Sequence, residues 1–260
     1  MQRDGKYIYC IIASDYDINL GPIGVGGRSD LVTTIGFDGL CMVVSDHPLS
    51  PAQSGIVNPE NMLAHQKVIE EVMKEFRSVL PIRFGTIAAT PDEIRNLLNR
   101  RYSEFMELLK QFENKVELNV RGVWKNMGMI YKEIDKEHVE LQKIRAEIEK
   151  LHDQVKRNLK IAEAGKLIEQ ALIEKKKEES EKIIDAFRKS MFEFKHNKTS
   201  GDAMFMNTAF LVNSGREVEF DNIMADLGVK YQDRSDFVYT APLPIFNFID
   251  LKIFPEKWEL

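Results

Sequence analysis

The sequence predicts an α+β protein of two domains, residues 1–112 and 113–260. The first domain reads as three strands, a helix, a strand and a helix. In the second, one strand is followed by about 70 residues with few helix breakers, after which strands return. The chain has 260 residues, 43% of them hydrophobic, which is enough for two cores.

Three strands are expected to open the first domain. The run at 6–13 is aromatic and β-branched, and the runs at 31–35 and 40–45 flank Gly36-Phe37-Asp38-Gly39, which has hairpin chemistry. A glycine-rich loop, Gly21–Gly27, lies between the first two strands. It lacks the spacing of a phosphate-binding loop, so a plain turn is predicted.

Two caps mark helix starts in the first domain. Asn58-Pro59 opens a helix of about 20 residues, because asparagine caps helices well and proline suits the first turn. Thr90-Pro91-Asp92-Glu93 opens the second helix. Thr90 is expected to accept a hydrogen bond from the amide of Glu93, whose side chain can reach back to the cap.

The hexapeptide Pro81-Ile82-Arg83-Phe84-Gly85-Thr86 lies between these helices and reads as a short apolar strand with an arginine in its middle. A charge in such a strand has to be paired, edge-facing or functional. The favoured interpretation is a buried or half-buried arginine paired with a carboxylate, since such pairs are more often structural than catalytic.

The second domain begins with a predicted strand at 116–125. A long helical hairpin, at about 129–197, is predicted next, with its bend at Gly165 and a heptad-like seam that includes Leu141, Ile144, Ile148, Leu151 and Val155. The balanced charges along it indicate a solvated helix face.

The remaining elements of the second domain are a strand at 204–212, a short helix and a last strand region at 229–240. Ser214 and Glu217 have the spacing of a capping box, and Gly228 is expected to end that helix. This order is compatible with a ferredoxin-like domain in which the hairpin is inserted after the first strand.

A C-terminal apolar tail, residues 241–260, completes the chain. Pro242 and Pro244 alternate with large apolar side chains, which keeps the segment extended and withholds backbone donors. Such a tail either packs on the body as a closing arm or presents its apolar side chains to a partner. Packing is the favoured alternative.

Composition excludes several classes of function. The net charge of −5, with no isolated basic block, argues against nucleic-acid binding. The N-terminus lacks an apolar signal core and no apolar run reaches about 18 residues, so a soluble cytoplasmic protein that does not enter lipid membranes is expected. Cys10 and Cys41 are expected to be buried, inert thiols.

No catalytic or metal-binding constellation is visible in the sequence. His65 lies near an apolar helix stripe without a second ligand at metal-binding spacing, and the serines do not form a nucleophile elbow. A non-enzymatic protein without cofactor or metal is therefore predicted.

Several motifs together are similar to one family. The hexapeptide resembles the signature P-[LV]-R-F-G-T, and it follows a histidine-containing helix, here His65-Gln66-Lys67-Val68-Ile69. The tail resembles the ending Y-x-G-P-[LW]-P-P-Y-x-F, from which it departs at Ala241, Ile245 and Phe246. Further similar segments lie at 7–9, 24–27, 40–45, 117–124 and 207–212. The chain thus resembles the GvpL/GvpF gas-vesicle accessory family over nearly its whole length.

The resemblance implies a non-enzymatic assembly factor with an N-terminal α+β domain and a C-terminal ferredoxin-like domain. It also implies binding to the small, very hydrophobic shell protein GvpA and to other accessory Gvp proteins, in the cytoplasm or on the vesicle, by a protein expected to be a monomer. The candidate partner-binding or family-motif residues are Arg83, Phe84, Gly85, Pro242, Pro244, Phe246 and Phe248.

A second function stays open from the sequence alone. The chain could be a ligand-sensing ferredoxin-like regulator whose helical hairpin only mediates dimerisation. Stabilisation by one metabolite, without capture of shell protein, would favour this alternative.

Overall fold

The computed structural model describes residues 4–27, 30–49 and 56–253. They form two compact units. The first contains the described residues up to Glu117, Asn213–Gly215 and those from Pro242 onward, and the second contains Leu118–Val212 and Arg216–Ala241. Helices and two antiparallel sheets make up the fold, so the predicted α+β class is confirmed.

The first sheet is built around one long buried strand. In the described residues its order is β2-β3-β4-β1, with β5 and β6 both on the other side of β1. The strands are β1 (Asp4–Ala13), β2 (Asn19–Gly21), β3 (Val32–Phe37), β4 (Leu40–Pro48), β5 (Leu80–Pro81) and β6 (Ile87–Ala88).

The hairpin expected at residues 36–39 is present. Phe37 pairs with Leu40, and the two residues between them, Asp38 and Gly39, have φ values of 49° and 79°. Positive φ at both central positions is the signature of the tight turn whose twist suits a hairpin.

Among the described residues, the first unit has three helices: α1 (Pro59–Glu75), α2 (Pro91–Arg100) and α3 (Tyr102–Gln111). Asn58 accepts from the amide of Asn61 and Thr90 from the amide of Glu93, so both predicted caps are confirmed. The Glu93 carboxylate accepts from the amide of Ala89. The second predicted helix is divided at Arg101, whose guanidinium binds Glu104 at 2.6 and 2.7 Å.

The hexapeptide is not a continuous strand, and this corrects the prediction. β5 ends at Pro81 and β6 begins at Ile87, while residues 82–86 form a turn. Its ends are tied to β1, because Ile82 donates to the carbonyl of Tyr9 and Ile8 donates to that of Thr86. β1 is irregular at the same place, with a register shift against β4 between Ile8 and Cys10.

The second sheet has the order β10-β7-β9-β8 in the described residues. Its strands are β7 (Lys115–Trp124), β8 (Glu193–His196), β9 (Met204–Asn213) and β10 (Ser235–Leu243). The helices between them are α4 (Met127–Glu137), α5 (Val139–Lys150), α6 (Gln154–Phe187) and α7 (Glu217–Lys230). Along the chain these elements therefore run β7, three helices, β8, β9, α7 and β10.

The predicted bend and the predicted end of the helical region are wrong. Gly165 lies inside α6, and the chain reverses at 151–153, where Asp153 caps α6 by accepting from Val155 and Lys156. The helices end at Phe187, and Glu193–His196 is a strand paired with β9, with Phe194 opposite Phe210. A strand forms here because these residues pair with β9, and such pairing between strands is not encoded in the helical periodicity of residues 193–196.

Two local expectations for α7 also fail. Ser214 belongs to a short 3-10 turn, and α7 begins after Arg216 without a side-chain cap, so the predicted capping box is absent. Gly228 is inside α7, which continues to Lys230. A glycine within a helix costs only about 1 kcal/mol relative to alanine, so it does not have to stop one.

An ion-pair network fixes the helices of the second unit. Arg234 binds both carboxylate oxygens of Glu133 at 2.8 Å and also pairs with Glu179, which accepts from the indole of Trp124. The pKa of Glu133 is lowered to about 2, and the largest cause is its hydrogen bond to Arg234. Lys175 extends the network to Glu133 and Glu137. This network was not foreseen, since its members are scattered between residues 124 and 234.

Candidate partner-binding surfaces

A buried histidine organises the centre of the first unit. His65 is 3% exposed, and each of its ring nitrogens forms one hydrogen bond. Nδ1 lies 2.9 Å from the hydroxyl of Tyr7, and Nε2 lies 3.1 Å from the carbonyl oxygen of Ile82. A carbonyl only accepts, so Nε2 carries the proton and Nδ1 accepts from Tyr7. The Tyr7 oxygen in turn accepts from the amide of Gly85 at 3.0 Å. Three hydrogen bonds thus run from the turn through Tyr7 and His65 back to the turn.

Burial keeps this chain of hydrogen bonds neutral. Desolvation lowers the pKa of His65 to about 4, against the smaller opposing effect of its bond to Ile82. Desolvation also raises the pKa of Tyr7 well above its usual value. The two groups are uncharged near neutral pH, so the chain positions the turn and does not carry charge.

The predicted residues of the hexapeptide meet different surroundings. Phe84 is half-buried and packs edge-on to His65, with ring centroids 5.6 Å apart. Gly85 has a φ of 87°, a backbone conformation that residues other than glycine rarely adopt. Arg83 pairs with Asp250 as expected, but the side chains are 65% and 60% exposed, so the expected burial of the arginine is wrong.

The described part of the tail packs on the first unit. Phe246 lies over His65 with ring centroids 6.1 Å apart, and Pro244 and Ile245 are buried. Asn247 is bound twice by the buried carboxylate of Glu117, which accepts from its backbone and side-chain nitrogens at 2.9 and 2.6 Å. Residues 254–260 of the predicted tail lie outside the described residues.

The tail and the hexapeptide therefore meet around His65. Phe84 and Phe246 both contact its ring, and Arg83 holds the tail at Asp250. Pro242 is exposed at the end of β10, whereas Phe248 is half-buried and its amide bonds to the carbonyl of Ile245 at 3.0 Å. Phe246 remains 38% exposed, so it both packs on the unit and leaves apolar surface to solvent.

A second apolar surface lies on the helical hairpin of the second unit, formed by α5 and α6. Two ion pairs show that the two helices run antiparallel. Near the turn, Glu147 of α5 pairs with Lys160 of α6. Further from the turn, Glu137 at the end of α4 pairs with Lys175 of α6. Between 145 and 170, none of the residues is fully buried.

Three exposed apolar residues of α6 share one side of that helix, and we call them the apolar stripe: Val155, Leu159 and Ala162. The first two are 70% and 67% exposed, and Ala162 is also exposed. At 100° per residue the three fall within about 60° of one another. Ala164 and Ile168, which line a groove with α5, lie on the opposite side.

The sequence interpretation missed this stripe because it assigned Val155 to the heptad-like seam. The seam ends earlier, since Leu141 and Ile144 are buried whereas Val155 is the first apolar residue after the cap of α6 and faces solvent. The spacing of three and four residues from Val155 to Ala162 is the signal that could have revealed it.

Neither surface has the appearance of a catalytic or metal centre. Among the described residues, no group of three His, Cys, Asp or Glu side chains could hold a metal ion. Nor is any described helix long and apolar enough to cross a bilayer. What the two surfaces offer is apolar area for contact with another molecule.

The chain is similar to proteins named as gas vesicle proteins. The chain is 25% identical to gas vesicle protein F1 of Halobacterium salinarum over 98% of its own length and 97% of the relative's. It is 24% identical to gas vesicle protein F of Microcystis aeruginosa over 73% of its length and 77% of the relative's.

Solved structures share the fold. The crystal structure of gas vesicle protein GvpF from Anabaena sp. PCC7120 superposes with a TM-score of 0.80 at 22% identity, covering 96% of this chain and all of that one. GvpF from Microcystis aeruginosa gives a TM-score of 0.73 at 22% identity, with 95% and 99% covered.

The model of one family, described as gas vesicle synthesis protein GvpL/GvpF, matches residues 5–250. That match includes the hexapeptide, the helical hairpin and most of the described tail. The chain belongs to the GvpL/GvpF family of gas vesicle synthesis proteins, and its role is in gas vesicles.

Proposed function

We propose that this protein is a non-enzymatic assembly factor that binds the shell protein GvpA and other accessory Gvp proteins while the gas vesicle is nucleated or grows. It would act in the cytoplasm as a monomer and associate with the vesicle through these contacts. Membership of the GvpL/GvpF family supports the setting, and the exposed apolar surfaces support the mode of action.

The apolar stripe on α6 is the observation that carries the proposal. A very hydrophobic shell subunit exposes apolar surface before it is assembled, and a partner that covers this surface prevents aggregation. Val155 and Leu159 stand on a helix without a covering element among the described residues. An amphipathic segment of the shell protein can pack along such a helix, with anchors spaced three and four residues apart.

The test is a charge placed in the apolar stripe. Leu159→Glu should abolish capture of GvpA by the purified full-length protein and lower vesicle yield in cells, because a carboxylate would have to be desolvated on binding. Ala146→Glu on α5 is the matched control, since it adds the same charge at another exposed position of the hairpin. Both variants should melt within about 1 °C of the wild type, as expected for exposed substitutions.

The alternative regulator predicts a different outcome. If the hairpin only mediates dimerisation, Leu159→Glu should convert a dimer into a monomer in light scattering, and the wild type should not bind GvpA. Binding of GvpA by a monomeric wild type, lost in Leu159→Glu, would exclude the alternative. Undiminished binding by Leu159→Glu would contradict the proposal for the stripe.

The same proposal includes a ferredoxin-like second domain, with its boundary near residues 112 and 113. The order of elements along the chain, β7, helices, β8, β9, α7 and β10, matches the β-α-β-β-α-β pattern. The last strand lies next to the first in the sheet. An experimental structure of the full chain in which β10 does not pair with β7 would contradict it.

A further inference from the structure

The second sheet has one long open edge. In the order β10-β7-β9-β8, the two edge strands are β10 and β8. β8 has four residues, and the edges of the first sheet are made by β2, of three residues, and by β5 and β6, of two each, whereas β10 has nine. Native proteins usually keep edge strands short or block them, because a long edge can pair with another chain. Among the described strands, β10 is therefore the edge best suited to such pairing.

The backbone of residues 235–241 supplies the hydrogen-bonding groups of this edge. In an antiparallel pair, alternate residues direct their N–H and C=O groups toward the neighbouring strand, and the others direct them away. On the side away from β7, no backbone group of another described residue bonds to residues 236–241. Pro242 has no N–H and ends the usable stretch. Only an extended backbone presents donors and acceptors at the matching spacing, so the geometry of the edge selects a strand.

The side chains of β10 alternate between the two faces of the sheet. Tyr239 stacks on Phe220 of α7 with ring centroids 6.1 Å apart, and Phe237 packs edge-on to Phe205 at 6.2 Å. Val238, between them, is 53% exposed. A strand added beside β10 would therefore continue a sheet that has α7 on one face and is open on the other.

Two carboxylates of α7 lie on the side of that helix nearer to this edge. Glu217 and Asp221 are four residues apart, so they fall about 40° apart around the helix, and both lie near the hydroxyl of Tyr239. Glu219 points the other way, because it accepts a hydrogen bond from Ser190 in the segment before β8, the opposite edge strand. The carboxylates of Glu217 and Asp221 therefore lie beside β10, at the edge where a strand would be added.

These two carboxylates lack a cation. Arg216, which precedes them, pairs with Glu219 at 2.7 Å, and among the described residues neither Glu217 nor Asp221 forms an ion pair. Desolvation raises the pKa of Glu217, and repulsion from Asp221 raises it further. An added strand that places lysine or arginine on the α7 side would relieve this repulsion, whereas an acidic strand would be repelled.

We propose that the outer edge of β10 pairs with an extended segment of a partner protein that directs lysine or arginine side chains toward Glu217 and Asp221. Backbone hydrogen bonds supply the affinity, and the two carboxylates supply the preference for a basic strand. The contact uses neither the apolar stripe nor the hexapeptide, so it can be tested separately from the binding of GvpA.

Titration of the full-length protein with a capped heptapeptide of alternating valine and lysine tests the proposal. Amide hydrogen exchange should slow at alternate residues of 235–241, because their outward N–H groups become bonded. The same peptide with glutamate in place of lysine should bind at least about tenfold more weakly. A peptide with proline in place of the inner valines keeps the charge but loses backbone donors, so it should not slow exchange at these residues.

Variants of α7 test the role of the carboxylates. Glu217→Gln combined with Asp221→Asn should weaken binding of the lysine peptide about tenfold without loss of stability, because it removes two carboxylates that repel each other. Asp226→Asn, at an exposed position on the other side of α7, should bind like the wild type. Unchanged exchange in 235–241, equal binding of the proline peptide, or unchanged affinity in the double variant would overturn the proposal. Dimerisation of the peptide-free protein that protects the same amides would also overturn it, since the edge would then belong to a second copy.

Discussion

A chain of three hydrogen bonds fixes the position of the turn in the hexapeptide. Gly85 donates to Tyr7, Tyr7 donates to His65, and His65 donates to Ile82, so these buried groups are paired without a charge. The turn needs glycine because φ is 87°, and it needs the tyrosine and histidine as its buried partners. The family signature is therefore tied to residues of β1 and α1 that lie outside it.

The first prediction concerns pH. The folded-state pKa of His65 is about 4 and the unfolded value is about 6.5, so between these values the unfolded chain binds more protons. Stability should consequently fall as the pH drops from 6.5 toward 4, and this residue should account for about 2 kcal/mol of loss by pH 5. Urea unfolding between pH 5 and 8 measures it.

The control for this prediction is a second histidine. His65→Gln should flatten the slope below pH 6.5, whereas His152→Gln, at an exposed position, should leave it unchanged. An equal slope in the wild type and His65→Gln would show that other groups cause the acid sensitivity.

The second prediction compares two neighbours in the turn. Arg83→Ala should cost less than about 1 kcal/mol, because the ion pair with Asp250 is exposed on both sides. Gly85→Ala should cost more, about 1–2 kcal/mol, since alanine is strained at a φ of 87° although there is space for its Cβ. Denaturant midpoints of both variants measure the order, and a larger loss in Arg83→Ala would contradict it.

At the scale of elements, the turn interrupts an edge of the first sheet. β5 and β6 are two residues each, and both pair with β1 on the side away from β4. An edge made of short pieces, with a proline and an exposed arginine, is a poor template for pairing with another chain. The hexapeptide thus protects the edge of a protein whose proposed partner is prone to aggregation.

Local signals in the sequence predicted elements well where the stabilising contacts are local. The caps at Asn58 and Thr90 bond to amides three residues away, so they can be read from the chain itself. β8 could not be read in this way, because Phe194 is held opposite Phe210 by the sheet. The site around His65 was also invisible, since Tyr7 is 58 residues from it and Phe246 is 181 positions further on.

Gly165 supplies the third prediction. It lies inside α6 with nothing within 4 Å of an added Cβ, so Gly165→Ala should stabilise the protein by about 0.5–1 kcal/mol through lower backbone entropy of the unfolded chain. Gly201→Ala is the contrasting variant, because φ there is 69° and it should destabilise. Thermal unfolding of both distinguishes a continuous helix from a bend, at which alanine would not stabilise.

The fourth prediction concerns the attachment of the tail. Asn247→Ala removes the side-chain donor to the buried carboxylate of Glu117, leaves the backbone donor in place, and should cost about 1–3 kcal/mol. Asp250→Ala removes only an exposed ion pair and should cost much less. Equal unfolding midpoints for the two variants would mean that the tail is held mainly by its apolar contacts.

At the scale of the whole molecule, the ion pairs that hold the hairpin and the surface proposed to contact GvpA lie on different parts of the hairpin. Glu133 and Arg234 bind Lys175 and Glu179 of α6 at the inner part of the hairpin, where α5 also has its buried residues. The apolar stripe lies on the outer part, where no residue is fully buried. This division means that the outer part adds little to stability and is available for binding.

The fifth prediction tests that division in the full chain. Replacing residues 145–163 by a short glycine- and asparagine-rich turn keeps the inner ion pairs and removes the apolar stripe. Little apolar burial is lost, so the unfolding midpoint should stay close to the wild type, while GvpA capture and vesicle yield should be lost. Arg234→Met is the opposite case: it leaves the stripe intact but removes the partner of two half-buried carboxylates, so stability should fall first. Vesicle yield that follows stability across both variants, instead of the presence of the stripe, would mean that the hairpin serves the fold and that the contact with GvpA lies elsewhere.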